Sequence, residues 1–106
     1  MIIYHNPRCS KSRQALALCK EHGVEPEIVD YQKQPPSLDA LQEILEGLDG
    51  DIDLMTRTNE LKKAGLVASL ELLVQRPEFL QRPILVKPGR VAVARTPDAV
   101  SEFLES

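Results

Sequence analysis

Apolar and polar positions change period several times along the chain, and each change marks an element. Ile2-Ile3-Tyr4 is a short apolar run that reads as a buried strand. Ser10 or Ser12 can cap a following helix, in which Ala15, Leu16, Leu18 and Cys19 recur at helical spacing. His22-Gly23 ends that helix, glycine being the usual left-handed cap. Glu27 to Tyr31 alternates polar and apolar around Ile28 and Val29 and reads as a second strand. After the turn Gln34-Pro35-Pro36-Ser37, a second helix carries Leu38, Leu41, Ile44 and Leu45 as its stripe, broken by Gly47 and Gly50. Ile52 to Phe79 is helical but irregular, interrupted by Gly65 and Pro77, with Leu54, Met55, Leu61, Leu66, Leu70, Leu72, Leu73 and then Leu80 as scattered core contacts. Pro83 to Val86 and Val91 to Ala94 read as strands joined by the turn Lys87-Pro88-Gly89-Arg90. Thr96-Pro97-Asp98 opens a last helix with Ala99, Val100, Phe103 and Leu104 on its apolar face.

The order is therefore βαβ, helices, ββα. A helix joins the first two strands, so they are expected parallel with a right-handed crossover. The last two form a hairpin and are expected antiparallel. An α/β fold follows: a four-stranded mixed sheet flanked by helices, the thioredoxin-like layout, in which a reactive cysteine sits at the N-terminus of the first helix. At 106 residues the chain reads as one domain, 1–106.

Composition narrows the function classes. A formal net charge of −3 argues against non-specific nucleic-acid binding. No apolar run is long enough to span a membrane, and Met1 leads straight into a strand rather than a signal peptide. The two cysteines, Cys9 and Cys19, lie ten positions apart on one helix, roughly 15 Å at 1.5 Å per residue. That exceeds the ~7 Å Cα limit for a disulfide, and this separation makes a zinc site improbable as well. Two free thiols fit a reducing, cytoplasmic setting.

Cys9 carries the chemistry. It lies in His5-Asn6-Pro7-Arg8-Cys9-Ser10-Lys11-Ser12-Arg13, between strand and helix. The free N–H groups of a helix start favour the thiolate, which is the nucleophile. Arg8, Lys11 and Arg13 surround it, and no acidic residue precedes Glu21, so these cations are expected to depress its pKa. Cys19, beside Leu18 on the apolar face, reads as core packing. Ser12 stands where a dithiol oxidoreductase has its second cysteine, so an oxidised Cys9 must pass its sulfur to another thiol, most simply glutathione. A tyrosine-phosphatase loop is excluded, because Cys-x5-Arg would need arginine at Ala15. His5 either tunes the thiol or holds the loop. Arg57, Arg82 and Arg95 each fall beside an element boundary; they read as oxyanion ligands or as solvated surface arginines.

Taken together, His5-Asn6-Pro7-x-Cys9-Ser10-x-Ser12-Arg13, Arg57-Thr58-x-Glu60, Arg82-Pro83-Ile84-x-Val86 and Arg95-x-Pro97 resemble the glutaredoxin-linked arsenate reductase family, nearly end to end and in order. The resemblance implies a nucleophile at Cys9 and three oxyanion arginines, Arg57, Arg82 and Arg95; the segment that carries Arg57 reads, from its own irregular pattern, as mobile. It implies that Pro83 is a cis-proline facing the thiol, with His5, Ser12 and Arg13 in support. It further implies arsenate as substrate, glutathione as co-substrate, glutaredoxin as partner, and neither metal nor bound cofactor. The chain is shorter than well-characterised arsenate reductases, chiefly between Gly65 and Arg82 and at the C-terminus. Two alternatives belong to the same fold: a glutathione-dependent thiol reductase without arsenate activity, and an Spx-like regulator that binds RNA polymerase. The Spx-like proteins commonly carry Cys-x-x-Cys, which Ser12 breaks.

Overall fold

The computed structural model describes residues 1–106. Four strands, β1 (Ile2–His5), β2 (Glu27–Asp30), β3 (Ile84–Lys87) and β4 (Arg90–Val93), form one sheet in the order β2-β1-β3-β4. β1 runs parallel to β2, pairing His5 with Asp30, and antiparallel to β3, pairing Ile3 with Leu85 and Tyr4 with Ile84. The β3–β4 pair is antiparallel, with Lys87 opposite Arg90. The turn thus narrows to Pro88-Gly89, and Gly89 takes the left-handed φ of 76° that such a turn requires. The mixed sheet expected from the hydropathy pattern is the one observed.

Strand side chains alternate between faces, so each register pair contributes to two separate cores. Ile3 and Leu85 join Ala15, Ala94, Val100 and Phe103 on one face. That face is covered by α1 (Ser10–Glu21) and α5 (Pro97–Glu105). Tyr4 and Ile84 join Leu41, Ile44, Met55, Leu61 and Leu73 on the other. There lie α2 (Leu38–Gly47), α3 (Thr58–Lys63) and α4 (Leu70–Gln75). The irregular stretch resolves into two 3₁₀ turns, Ile52–Met55 and Pro77–Phe79, bracketing the short helices α3 and α4.

Caps behave as side-chain chemistry dictates. Ser37 Oγ accepts the Ala40 N–H and Thr96 Oγ1 the Ala99 N–H, each at 3.1 Å. Gly23 follows α1 with φ of 72°, and the Val24 N–H bonds the Cys19 carbonyl at 2.8 Å. Three expectations need correcting. Neither Ser10 nor Ser12 caps α1; Cys9 is its N-cap, and Ser12 is buried in the first turn. Leu38 and Leu54, read as core, are 47% and 52% exposed. Each sits at the first turn of its element, where the apolar stripe has not yet rotated onto the sheet.

Gly47 is more than a breaker. It is the last residue of α2, and a Cβ there would overlap Val91 of β4, including its Cβ. Glycine is what lets the helix end rest against the strand. Gly47→Ala is expected to destabilise the fold by about 1–3 kcal/mol, the usual range for overpacking. Urea unfolding measures this; a variant as stable as the native chain would show that the contact relaxes freely.

Candidate active site

The connection from β1 to α1 is closed by a short run of hydrogen bonds. The Asn6 carbonyl accepts the Cys9 N–H at 3.0 Å. The Asn6 side-chain oxygen accepts the Arg8 N–H at 3.0 Å, an Asx turn of the kind asparagine forms before a proline. Ser12 Oγ accepts the Asn6 N–H at 3.0 Å and meets His5 Nδ1 at 2.6 Å. His5, Asn6 and Ser12 are all buried. Cys9 is left half-buried at the N-terminus of a twelve-residue helix, and its carbonyl accepts the first helical bond, from Arg13 N, at 3.0 Å.

The electrostatics at the sulfur differ in detail from the sequence expectation. Burial pushes the Cys9 thiol up, but the Ser12 N–H, the Arg82 side chain and the Lys11 N–H outweigh it, so the thiol is held below its ordinary value. No conventional side-chain cap bond forms at this helix start; the sulfur occupies the region where one would be. The cation that acts on it is Arg82, not Arg8, Lys11 or Arg13. Arg8 and Lys11 are exposed, and Arg13 turns its guanidinium onto the Pro7 carbonyl at 3.0 Å, bracing the loop. Cys19 is fully buried, and burial pushes its thiol up.

His5 serves the loop through Ser12. Burial lowers its pKa; Asp30, its partner across the β1–β2 pairing, acts in the opposite direction, and Arg13 adds to the lowering.

The three arginines are half-buried. The Arg82–Pro83 peptide bond is cis, as expected. Arg95 Nη1 donates to the Arg82 carbonyl at 2.5 Å, tying the end of β4 to the start of β3. Arg57 and Arg95 line one cleft of about 190 Å³ together with Thr58, Gln81 and Glu60. Arg82 thus acts electrostatically on Cys9, Arg57 and Arg95 line a common cleft, and the Arg95–Arg82 bond links the two. The backbone at Arg57 is tied to its surroundings on both sides. Thr56 bridges to Leu80, the Arg57 N–H bonds the Phe79 carbonyl at 2.7 Å, and the Gln81 N–H bonds the Met55 carbonyl at 2.9 Å. The largest concavity, about 570 Å³ between Met1, Glu46 and the β3–β4 turn, contains neither cysteine nor any of these three arginines.

Sequence reasoning missed Tyr31. It directly follows β2, is fully buried, and its hydroxyl accepts from Asn6 Nδ2 at 3.4 Å. The signal was available in the topology. β1 and β2 are parallel, so residues just beyond their C-terminal ends lie side by side, the usual place for a ligand in such a sheet.

The fold is thioredoxin-like, and the site is a single accessible thiol beside an arginine, next to an arginine-lined cleft. Comparison with known proteins agrees. The chain belongs to the ArsC family, whose profile matches residues 4–103. It is 38% identical over 112 residues to a protein named arsenate reductase from Neisseria meningitidis serogroup B, covering 96% of each chain. It is also 38% identical to the uncharacterized protein YfgD of Escherichia coli K12, covering 96% of this chain and 94% of that one. The arsenate reductase of Escherichia coli K12 is 30% identical, but this chain spans only 79% of its length. The shortness seen in the sequence is thus relative to that branch and not to the Neisseria one. Among solved structures, an arsenate reductase from Vibrio cholerae superposes with a TM-score of 0.82 at 32% identity, covering 95% of this chain and 94% of that one. No helix is long and apolar enough to cross a membrane.

Two predictions come from this geometry. Iodoacetamide alkylation of Cys9 should have a midpoint below the ~8.5 of an ordinary cysteine, and Arg82→Ala should raise it, whereas Arg8→Ala and Lys11→Ala should move it much less. Equal shifts from all three would mean that a diffuse basic field, and not the Arg82 contact, sets the thiol. The second concerns pH. The folded pKa of His5 lies below its unfolded value of about 6.5, so the unfolded state binds its proton first. The stability contributed by neutral His5 is complete above pH ~6.5 and is lost as the pH falls through the folded value. Denaturant melts of native protein and His5→Gln between pH 5 and 8 should show this slope in the native chain only.

Proposed function

We propose that the protein reduces arsenate to arsenite with Cys9 as nucleophile. The Cys9 thiolate attacks the arsenic of bound arsenate, an As–S bond forms, and one oxygen leaves as hydroxide or water. Arg57, Arg82 and Arg95 orient the oxyanion and offset charge as it builds. Glutathione then attacks the Cys9 sulfur of the adduct. The S–S bond forms as the As–S bond breaks, arsenic takes the electron pair and leaves as arsenite, and two thiols have been oxidised to a Cys9–glutathione disulfide. A glutaredoxin thiolate attacks the glutathione sulfur and releases Cys9. His5, Ser12 and Arg13 hold the loop in this scheme, with Pro83 beside Arg82, and neither metal nor bound cofactor takes part.

The observation that carries this reading is the contact of a lowered-pKa thiol with Arg82, with an arginine-lined cleft joined to it through Arg95. Membership of the ArsC family supports arsenate as the oxyanion. Serine at position 12 and the full burial of Cys19 support an external thiol as reductant, because no second thiol of the chain is placed to resolve the oxidised sulfur.

The test is arsenite formation by the purified protein with glutathione, glutaredoxin and NADPH-coupled recycling. Cys9→Ser should abolish turnover and Cys19→Ser should keep most of it. Arg57→Ala, Arg82→Ala and Arg95→Ala should each lower kcat/KM at least tenfold, about 1.4 kcal/mol in transition-state stabilisation. Arg→Lys should also impair it, since lysine keeps charge but loses the paired donors. Near-normal turnover of the Arg82→Ala and Arg95→Ala proteins would exclude these arginines as the oxyanion ligands, and no arsenite from native protein whose Cys9 still reacts would leave the glutathione-dependent thiol reductase.

A further inference from the structure

Tyr31 has an unusual balance of donors and acceptors. Its ring is fully buried in the core beneath α2 and α3, yet its hydroxyl reaches the Cys9 loop. The phenolic oxygen accepts from Asn6 Nδ2 at 3.4 Å. The orientation of that amide is fixed, because its oxygen is already taken by the Arg8 N–H. The same Asn6 receives the Cys9 N–H on its carbonyl, so the phenol and the thiol are braced on one residue.

The phenol's own hydrogen has no acceptor in the protein: the Asn6 contact is the one hydrogen bond Tyr31 makes through its side chain. The charged groups that act on it are Arg82, Arg57 and Cys9. Guanidinium groups only donate. The phenol, braced on the Asn6 that also holds the Cys9 N–H, therefore lies within electrostatic reach of the nucleophile and of two of the arginines, with a proton to give. Burial pushes its pKa above the ordinary phenol value, so it keeps that proton throughout the neutral range. The Asn6 bond uses the phenol only as an acceptor, so an oxygen delivered to Cys9 could take up its remaining donor.

We propose that Tyr31 is a substrate-binding residue whose hydroxyl donates a hydrogen bond to an oxygen of the tetrahedral oxyanion at Cys9, the neutral partner of the arginines. The proposal deepens the arsenate reading and rests on it only in requiring a tetrahedral oxyanion at this thiol. Arginines supply charge to any anion. A neutral O–H adds a directional contact that favours an oxygen-rich tetrahedral centre over a carboxylate held by charge alone.

The experiment measures how arsenate and inorganic phosphate protect Cys9 from iodoacetamide in native protein and in Tyr31→Phe. Phenylalanine keeps the buried ring and removes the donor. The apparent affinity of both anions should fall about tenfold or more, the range for a hydrogen bond to a charged group, while the anion-free alkylation midpoint stays in place. Unchanged protection would overturn the proposal. So would a shift of the anion-free midpoint with no separate loss of anion affinity, which is what disruption of the Asn6 brace would give. Absence of protection of the native thiol by either anion would overturn it too. Site-specific 3-fluorotyrosine at position 31 supplies a second arm if Tyr31→Phe fails to fold: its more acidic hydroxyl should tighten anion binding, and equal affinity would count against the donor. Arsenite formation is scored separately, so a protein that binds the anions through Tyr31 but makes no arsenite refutes the arsenate reading and leaves the Tyr31 contact standing.

Discussion

The Ser12 hydroxyl lies fully buried where the end of β1 meets the first turn of α1, taking the Asn6 N–H and meeting the His5 ring. Much of the site depends on that atom. It fixes the loop against the helix, which sets Cys9 as the N-cap and aims the Ser12 and Lys11 N–H groups at the sulfur. An unpaired Asn6 N–H in this place would cost about 1–3 kcal/mol. A dithiol enzyme uses this position for redox chemistry; this chain uses it to hold the loop.

The sheet delivers the remaining parts. β1 is central and pairs on both sides, so its C-terminal end brings three chain segments together: the Cys9 loop, Tyr31 after β2, and Arg82 before β3. Arg95 arrives from β4 and is bonded to the Arg82 backbone. Segments far apart in sequence become neighbours because each adjoins a strand end at the same edge of the sheet. The alternating side chains of β1 and β3 bind that edge to two cores at once, Ile3 and Leu85 on one face, Tyr4 and Ile84 on the other.

Much of this is legible in the order of residues alone. The hydropathy periods give the strands, the mixed sheet and the first, second and last helices within a residue or two, because local side-chain patterning decides them, whereas α3, α4 and the 3₁₀ turns between Ile52 and Phe79 stay merged in one irregular stretch. The reactive and inert cysteines separate by their neighbours. What stays hidden depends on long-range placement. The cations near Cys9 in sequence point elsewhere, and the one that acts on it comes from seventy-three positions away, Arg82. Arg57 reads as loose because its helices are short, yet the Thr56–Leu80 bridge secures it from outside its own segment. Tyr31 reads as the last residue of a strand, since its chemistry exists only once Asn6 is beside it.

The depth of Cys19 also governs kinetics. With that sulfur sealed on the buried face of α1 and serine at position 12 in the first turn, this chain has one accessible thiol, the half-buried Cys9. An oxidised Cys9 has no unimolecular escape. In the proposed cycle each turnover therefore ends in a bimolecular encounter, and its rate would follow the concentration of the thiol outside. On the proposed cycle, scarcity of that thiol would hold the protein in its modified form, so the fraction of Cys9 found free would report reductant supply as directly as it reports the load of oxyanion.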